Sequence, residues 1–277
     1  MRGRRAQPEW RRAMVTGASS GIGRAFAVAL AAAGTDLVVV ARRADRLEAL
    51  AAKVRGEAAV DGGDGTGGAR RPDIEVLVAD LTDDADLRRV EARLADADRP
   101  VDLLVNNAGF GTSGPFADSS PEVEDREILL NVLAPVRLCR AVLPGMLERG
   151  RGGIVNMSSV AGLQPLPHWA TYGATKAYLT SFSEALHTEV RGGGVTVLAL
   201  MPGFTRTEFH VSSSPPGMGV PGPMWMTAEA VVESGLWALR RRRAGHVVGA
   251  RNQVVAAMSR VTPWAVSRRV VNLARPR

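Results

Sequence analysis

The chain has 277 residues, of which 45% are hydrophobic and 23% are charged, a balance typical of one large soluble domain with a substantial core. Its single cysteine, Cys139, excludes a disulfide framework within the chain and makes a reducing cytoplasm the expected location. No apolar run follows the N-terminal arginines as a signal sequence would, and no stretch reaches the ~18 uninterrupted apolar residues of a membrane span. We expect Cys139 to be buried and structural, because it falls in a predicted helical stretch.

The first predicted strand runs into a glycine-rich turn that opens a helix. The strand is predicted over 13–16 and the helix over 22–33, and the turn between them reads Gly-Ala-Ser-Ser-Gly-Ile-Gly. Glycines permit a tight turn and close approach of a ligand to the backbone, while the N-terminus of a helix receives phosphate. The spacing is TGxxxGxG and not the better-known GxGxxG. The turn therefore predicts a dinucleotide site that comprises Gly17, Ser19, Ser20, Gly21, Ile22 and Gly23.

The end of the second predicted strand, 36–41, indicates which nicotinamide cofactor is preferred. Enzymes that prefer NAD commonly place a carboxylate there for the ribose 2′-OH, whereas a 2′-phosphate requires a cation. Here the strand is followed by Arg42 and Arg43, with no acid before Asp45. Guanidinium groups form charge-assisted, bidentate bonds to phosphate, so we expect NADP(H) to be favoured over NAD(H). The alternative is that both arginines only solvate a surface loop.

Strands and helices alternate along the rest of the chain, as a doubly wound parallel sheet requires. Helices are predicted over 45–54, 83–94, 122–147 and 172–190, and strands over 74–78, 101–105, 154–157 and 195–200. Pro135 and Pro144 are expected to break or kink the third of these helices. Residues 56–72 are rich in glycine and are predicted to form a flexible surface insertion. The predicted fold is a single-domain, Rossmann-like three-layer α/β sandwich over residues 12–250.

A serine, a tyrosine and a lysine have the spacing that carbonyl and alcohol chemistry requires. Tyr172 stands thirteen residues after Ser159, and Lys176 follows four residues later. A carbonyl that gains hydride must also gain a proton, and a phenol with an ordinary pKa of ~10 needs help to supply it. Positions i and i+4 share one face of a helix, so Lys176 can favour the ionised form of Tyr172, while Ser159 can hydrogen-bond the substrate oxygen. The alternative is a surface tyrosine and lysine, because YxxxK alone is common by chance.

These motifs together resemble the short-chain dehydrogenase/reductase family, of the compact single-domain type, over roughly four fifths of the chain. The matching segments are 16–23, 79–81, 106–109, Asn131, Ser159, Tyr172 with Lys176, and 202–207. The resemblance implies a catalytic tetrad of Asn131, Ser159, Tyr172 and Lys176, in which Asn131 holds a water that links Lys176 to solvent. Ser159 has the family's distance from Tyr172, whereas Ser158 falls one residue short.

The same resemblance implies the rest of the cofactor site. Asp80 would contact the adenine ring, with Leu81 beside it, and the segment after the fourth strand would line the adenine and ribose side. The cofactor residues implied in this way are Asp80, Leu81, Asn107, Ala108, Gly109, Tyr172, Lys176, Pro202, Gly203, Thr205 and Thr207. No metal site is expected. Because cells keep NADP mainly reduced, we expect the reaction to run as carbonyl reduction. The alternative functions are an NAD-linked alcohol dehydrogenase of the same family and a non-catalytic dinucleotide-binding sensor.

By resemblance, residues 204–226 form the mobile substrate lid. They are rich in Gly, Pro, Ser and Met and include Phe209 and Trp225. With Leu166, His168 and Trp169 they could line an apolar, adaptable pocket or pack on the protein's own surface. The expected partner is a small-molecule carbonyl or alcohol substrate of unspecified identity, and the expected active unit is a homodimer or a homotetramer.

Positive charge is concentrated at the two ends of the chain, whose formal net charge is +7. Residues 1–11 form a basic tail, and ten arginines stand after Glu233, the last acidic residue. In the C-terminal extension, 251–277, apolar residues alternate with arginines as in a basic amphipathic helix broken near Pro263. We favour packing of its apolar face on the domain or a subunit interface over docking on an anionic membrane. No nucleic-acid binding is expected, because no reading motif is present.

Overall fold

The core of the molecule is a parallel β-sheet in a computed structural model that describes residues 9–60, 71–209 and 222–261. Its strands are β1 (Arg12–Thr16), β2 (Asp36–Ala41), β3 (Ile74–Val78), β4 (Leu103–Asn106), β5 (Gly152–Met157), β6 (Val195–Met201) and β7 (Gly245–Val247). They form one seven-stranded sheet in the order β3-β2-β1-β4-β5-β6-β7. The direction of winding reverses between β1 and β4, which is where open α/β sheets bind ligands.

Helices cover both faces of this sheet. They are α1 (Gly21–Ala32), α2 (Ala44–Val60), α3 (Asp84–Ala95), α4 (Pro121–Ile128), α5 (Ala134–Glu148), α6 (Ala170–Val190), α7 (Ala228–Arg240) and α8 (Ala250–Val261). Successive residues of a strand point to opposite faces, so Ala13 and Val15 pack with α1, α2 and α7, whereas Met14 packs with α3, α5 and α6. Strands buried on both faces read as continuous apolar runs. The predicted doubly wound, three-layer fold is confirmed.

The predicted insertion at 56–72 was wrong in its first residues. Helix α2 continues to Val60 because Glu57, Ala58 and Ala59 are good helix formers and the glycine-rich run begins only after them. Residues 61–70 lie outside the described residues.

The predicted helix 122–147 is a helical run with a π-helical middle. Residues Leu129–Leu133 form the π segment between α4 and α5, and Pro135 stands in the first turn of α5, where a missing N–H costs little. The helix continues through Pro144 to Glu148, because buried Val142 and Met146 hold this part of α5 against the sheet. Pro144 therefore does not end the helix.

The same helical run is also notable for its composition. Within the described part of the chain, Pro121–Glu148 is the helical stretch long and apolar enough to cross a membrane by length and composition alone. Core helices of soluble proteins pass this test as well, and α4 and α5 contact α6 and α3 respectively.

The C-terminal extension begins as a helix on the domain. Helix α8 contacts β7 and the 3-10 helix Val160–Leu163, and Ala256 on it is buried. The predicted interruption at Pro263, the rest of the extension and the first eight residues of the basic tail lie outside the described residues.

Candidate active site

A cavity of about 1360 Å³ runs along the carboxyl ends of the strands. Of the residues that the sequence assigns to the site, all line it except Gly23 and Asn131. One end is formed by the residues after β2 and the other by the segment before α6 and the first residues of the lid. Motifs spread over nearly two hundred residues therefore converge on a single cleft.

The glycine-rich turn has the shape that a pyrophosphate requires. Gly17 and Gly21 adopt φ values of 67° and 53°, in the left-handed region that favours glycine. A Cβ atom at Gly17 would lie 2.7 Å from Nδ2 of Asn107, so only glycine lets the two segments approach this closely. The turn leads into the N-terminus of α1, where backbone N–H groups and the helix dipole favour an anion. The residues present fit a dinucleotide.

Gly23 serves the turn and not the cavity. A Cβ atom there would lie 2.4 Å from the carbonyl oxygen of Gly17, so this glycine lets α1 pack directly on the turn. That structural function explains why Gly23 belongs to the motif although it does not line the cleft.

The turn after β4 is fastened to the end of β1 by Thr16. The backbone N–H groups of Asn107 and Ala108 both donate to Oγ1 of Thr16 at 3.0 Å. The side chain of Asn107 also donates to the carbonyl oxygen of Thr16 at 3.0 Å. Asn107 therefore braces the floor of the cleft, while Ala108 and Gly109 form its surface.

The two arginines after β2 occupy different positions. Arg43 donates to Oγ of Ser19 and to Oγ of Ser20, both at 3.0 Å, so it bridges β2 and the glycine-rich turn. Arg42 has a side chain 64% exposed and lies 3.7 Å from a carboxylate oxygen of Asp80. Both line the cleft.

Glu208, at the start of the lid, interacts with the same cluster of cations. Its two carboxylate oxygens lie 3.0 Å from Nη1 of Arg43 and 2.5 Å from Nη1 of Arg46. Hydrogen bonds from Arg43 and then Arg46 hold the pKa of Glu208 below its usual range. The lid is thus tied to the phosphate end of the cleft, a contact that sequence reasoning missed.

Asp80 lines the same end of the cleft as Arg42. It accepts hydrogen bonds from the backbone N–H of Thr82 at 3.0 Å and from its hydroxyl at 2.8 Å. Partial burial raises the pKa of Asp80, but the Thr82 bonds and the charges of Arg42 and Arg126 outweigh it and lower the pKa overall. Leu81, beside Asp80, is buried and also lines the cavity.

Tyr172 and Lys176 face the other end of the cleft from the first turns of α6. Nζ of Lys176 donates to the carbonyl oxygen of Met157 at 2.8 Å and lies 5.6 Å from the centroid of the Tyr172 ring. Burial lowers the pKa of Lys176 to about 8, and the charge of Glu127 opposes this shift.

The phenol of Tyr172 does not show the lowered pKa that the sequence led us to expect. Burial raises its pKa to about 12, against the hydrogen bond with Ser159, and the charge of Glu127 raises it further. Nζ of Lys176 lies over the ring, and burial is the largest influence on the pKa of the phenol. At neutral pH the phenol therefore holds its proton.

The two adjacent serines point in different directions. Ser158 is buried, with its hydroxyl 2.8 Å from the carbonyl oxygen of Lys176 and 2.6 Å from Oγ1 of Thr180. Ser159 caps the following 3-10 helix by accepting from the N–H of Ala161 at 3.1 Å, and it hydrogen-bonds the Tyr172 phenol. Ser158 thus anchors α6, and Ser159 reaches the cleft.

Asn131 lies behind the cleft in the π segment and is 1% exposed. Its side chain donates to the carbonyl oxygen of Phe110 at 2.8 Å and to Oγ1 of Thr175 at 3.2 Å. A Cβ atom at Gly109 would lie 2.8 Å from Oδ1 of Asn131 and 3.5 Å from Nζ of Lys176. Gly109 therefore leaves the space in which Asn131 and Lys176 come together.

The substrate side of the cleft is aromatic. The rings of Trp169 and Phe209 flank Tyr172 with centroid distances of 5.4 and 5.5 Å. His168, the residue before Trp169, lines the cavity at a φ of 68°. Trp225 instead packs on Phe204 at 5.7 Å. The two interpretations of the lid aromatics therefore apply to different residues: Phe209 lines the cleft, and Trp225 packs on the protein's own surface.

One buried acid beside this site was not found from the sequence. Glu127 is fully buried on α4, four residues before Asn131, and interacts electrostatically with Lys176 and Tyr172. It stands among other acids on α4, Glu122, Glu124 and Asp125, which looks like a solvated helix face. The single available signal was the four-residue spacing to Asn131, which places both on similar faces of the helical run.

This fold and cleft define the class of dinucleotide-binding α/β proteins. The family model described as short chain dehydrogenase matches residues 11–216. The chain therefore belongs to the short-chain dehydrogenase/reductase family, as its motifs predicted, and members of this family are NAD(P)-dependent oxidoreductases.

Individual relatives agree with this assignment. The chain is similar to the structure of a short-chain dehydrogenase from Sphingobium yanoikuyae in complex with NADPH, with 36% identity, a TM-score of 0.78 and 96% of each chain covered. It is similar to the bulky-bulky ketone specific alcohol dehydrogenase from Comamonas testosteroni, with 34% identity, a TM-score of 0.75, and 90% of this chain and 92% of that chain covered. A short chain dehydrogenase of Pseudocercospora fijiensis is 37% identical over 73% of this chain, which spans 62% of that relative's length.

Proposed function

We propose that the protein reduces a bulky, apolar ketone or aldehyde to the alcohol, with NADPH as the hydride donor. The observation that carries this proposal is the position of Tyr172, whose protonated phenol opens onto a cleft with a dinucleotide-shaped end and an aromatic end. A proton donor between these two ends suits a carbonyl group placed between cofactor and apolar wall.

Tyr172 is the proton donor in this proposal. Its pKa of about 12 keeps the proton in place near neutral pH until negative charge develops on the carbonyl oxygen. Ser159 hydrogen-bonds the phenol and is placed to donate to the same oxygen. The charge of Lys176 stabilises the phenolate that remains after the transfer. NADPH supplies the hydride when bound.

Asn131 is proposed to hold the water through which Lys176 exchanges protons with solvent. Its support is the space left by Gly109, which brings the Asn131 amide and the Lys176 ammonium close together. The remaining contacts of Asn131, to Phe110 and Thr175, fix its amide in one orientation.

The preference for NADPH rests on the arginines after β2. Arg42 and Arg43 both line the cleft at the phosphate end, next to Ser19 of the glycine-rich turn. No carboxylate stands at the end of β2 to receive a ribose 2′-OH. A similar structure, from Sphingobium yanoikuyae, is described in complex with NADPH.

The substrate class rests on the walls around Tyr172. Besides Trp169 and Phe209, the apolar side chains on this side are Leu163, Leu166, Pro167, Phe204 and Met224. Rings on both sides of the phenol favour a carbonyl with two large apolar substituents. The similar Comamonas testosteroni enzyme is described as specific for bulky-bulky ketones.

A cytoplasmic homo-oligomer, dimer or tetramer, is proposed as the working form. Exposed apolar side chains on the outer helices support self-association, namely Ile128, Leu133, Leu147 and Tyr178. The buried thiol of Cys139 is consistent with a reducing compartment. Light scattering on the purified chain gives the number of subunits directly, and a monomer would contradict this part of the proposal.

The proposed function is tested by following oxidation of NADPH and of NADH with a panel of carbonyl compounds. The panel should pair small and bulky versions of each type: acetone with a diaryl ketone, a short with a long 3-oxoacyl thioester, and a small quinone with a steroid ketone. We expect turnover with NADPH and a kcat/KM that rises with apolar bulk. Equal rates with both cofactors would contradict the proposed NADPH preference, and a preference for small polar substrates would contradict the proposed substrate class.

A further inference from the structure

Glu127 is a fully buried carboxylate at the end of α4, next to the π segment that carries Asn131. One of its oxygens, Oε2, accepts from the backbone N–H of Thr112 at 3.0 Å and from the Thr112 hydroxyl at 2.6 Å. Thr112 belongs to the loop that follows the Asn-Asn-Ala-Gly turn. Glu127 thus connects α4 to the loop that follows β4.

The other oxygen, Oε1, is buried and has no hydrogen-bond partner within the described part of the protein. Leaving a carboxylate oxygen buried without a donor is costly, so such a group calls for a nearby compensating charge. The titratable groups that interact with Glu127 are Glu124, one turn earlier on α4, and Lys176 and Tyr172 on α6. Among these, Lys176 is the cation.

We propose that Glu127 is a positioning residue whose negative charge keeps the buried ammonium of Lys176 protonated. This inference rests on the proposed reductase function. In it, the negative charge of Glu127 offsets the burial of the Lys176 ammonium. The proton that Lys176 passes to the Tyr172 phenolate is replaced from solvent through the water proposed at Asn131.

The charges of the pair support this assignment. Burial lowers the pKa of Lys176, and Glu127 is the group that acts in the opposite direction, so that the pKa lies at about 8 with both effects present. Burial likewise raises the pKa of Glu127, against the two bonds from Thr112. Each group therefore offsets part of the desolvation of the other. If Glu127 only fastened the Thr112 loop, an amide of the same shape would serve equally well.

The test separates charge from shape with two substitutions. Glu127→Gln keeps an oxygen for both Thr112 bonds and removes the charge, whereas Glu127→Asp keeps the charge on a shorter side chain. Glu124→Gln is the matched control, because it removes a charge one helical turn away on a partly exposed side chain. Thermal unfolding and circular dichroism show whether each variant is folded.

The first readout does not depend on turnover. The chain contains two lysines, Lys53 and Lys176, so protein labelled with ¹³C at the lysine Cε gives two signals, and the exposed Lys53 is an internal reference. Lys176→Met assigns the signals. We expect the midpoint of the Lys176 titration to move to lower pH in Glu127→Gln by at least about half a pH unit, as removal of a nearby charge at an effective dielectric constant of about 20 requires. It should move little in Glu127→Asp and in Glu124→Gln.

The second readout is the pH profile of kcat for reduction. Lys176 must be charged for the proposed step, so the rate falls as pH rises through its pKa. Removing the charge of Glu127 lowers that pKa, and the alkaline limb should move to lower pH in Glu127→Gln and return towards the wild-type position in Glu127→Asp.

Opposite results would overturn the inference. An unchanged Lys176 titration in folded Glu127→Gln would mean that Glu127 acts only through Thr112, and an equal shift in Glu124→Gln would mean that any charge on α4 has this effect. Absence of wild-type turnover would contradict the proposed function instead, while the titration would still report on the pair. If Glu127→Gln does not fold, Glu127→Met removes the same charge with an apolar side chain of similar length. A lowered Lys176 midpoint in that variant supports the charge role, and an unchanged midpoint contradicts it.

Discussion

The two ends of the cleft differ in how exposed their side chains are. At the catalytic end, Tyr172, Lys176 and Asn131 are 9%, 5% and 1% exposed. At the phosphate end, the side chains of Arg42 and Arg43 are 64% and 40% exposed. Burial shifts pKa values strongly and is insensitive to salt, whereas exposed charges act through interactions that salt screens. Changes at the buried end should therefore reduce turnover, and changes at the exposed end should alter cofactor affinity and selectivity.

The largest effect is expected from Tyr172→Phe. Removing the phenolic hydroxyl takes away the proposed proton donor, and we expect kcat to fall by at least about two orders of magnitude with nearly unchanged NADPH binding. Steady-state kinetics and fluorescence titration with NADPH measure the two quantities. Tyr178→Phe is the matched control, because Tyr178 is the other tyrosine of the chain, is 46% exposed and lies outside the cavity lining. Near-normal turnover in Tyr172→Phe would mean that Tyr172 is not the proton donor and that changes at the buried end do not specifically reduce turnover.

A selective loss of affinity is expected at the exposed end from Arg42→Asp. This change removes a proposed phosphate partner and adds a like charge, so we expect NADPH binding to weaken by about 10- to 100-fold and NADH binding to change far less. Dissociation constants for both cofactors at low and high salt test it. Arg126→Asp is the control, because Arg126 also lies near Asp80, at 3.8 Å, but does not line the cavity. Equal losses for both cofactors would make Arg42 structural and the NADP(H) preference wrong.

Sequence reasoning succeeded where a motif encodes its own local geometry. The bounds of β2 and β3 were predicted to the residue, and the glycine-rich turn lies where a strand-turn-helix pattern puts it. It failed where a residue depends on distant partners. Glu208 contacts Arg43 across 165 positions of the chain, and Glu127 interacts electrostatically with Lys176 from α4, a helix that packs on α6.

The direction of the Tyr172 pKa was missed for the same reason. The spacing of Tyr172 and Lys176 was read as a pair that favours the phenolate, but spacing carries no information about burial. In the folded protein, burial and the charge of Glu127 both raise the pKa of the phenol. A sequence pattern therefore identifies which groups meet more reliably than it identifies their protonation.

The smallest effect is expected from Glu208→Gln. This substitution sharpens the comparison of the two ends because Glu208, in the predicted lid, contacts the arginines of the exposed end. Glu208 forms ion pairs with Arg43 and Arg46, so in the proposed NADPH complex its carboxylate would compete with the 2′-phosphate for the same cations. Neutralising it should strengthen NADPH binding by about two- to fivefold at low salt, the range of an exposed ion pair, and leave NADH binding unchanged. Because the groups involved are exposed, the gain should disappear as salt rises through the screening range. Titrations of both cofactors at two salt concentrations measure this. A weaker NADPH affinity in the variant would mean instead that Glu208 holds the arginines in the orientation that the phosphate requires. A gain in NADPH affinity that persists at high salt would mean that this end of the cleft is less solvated than its exposed arginines indicate.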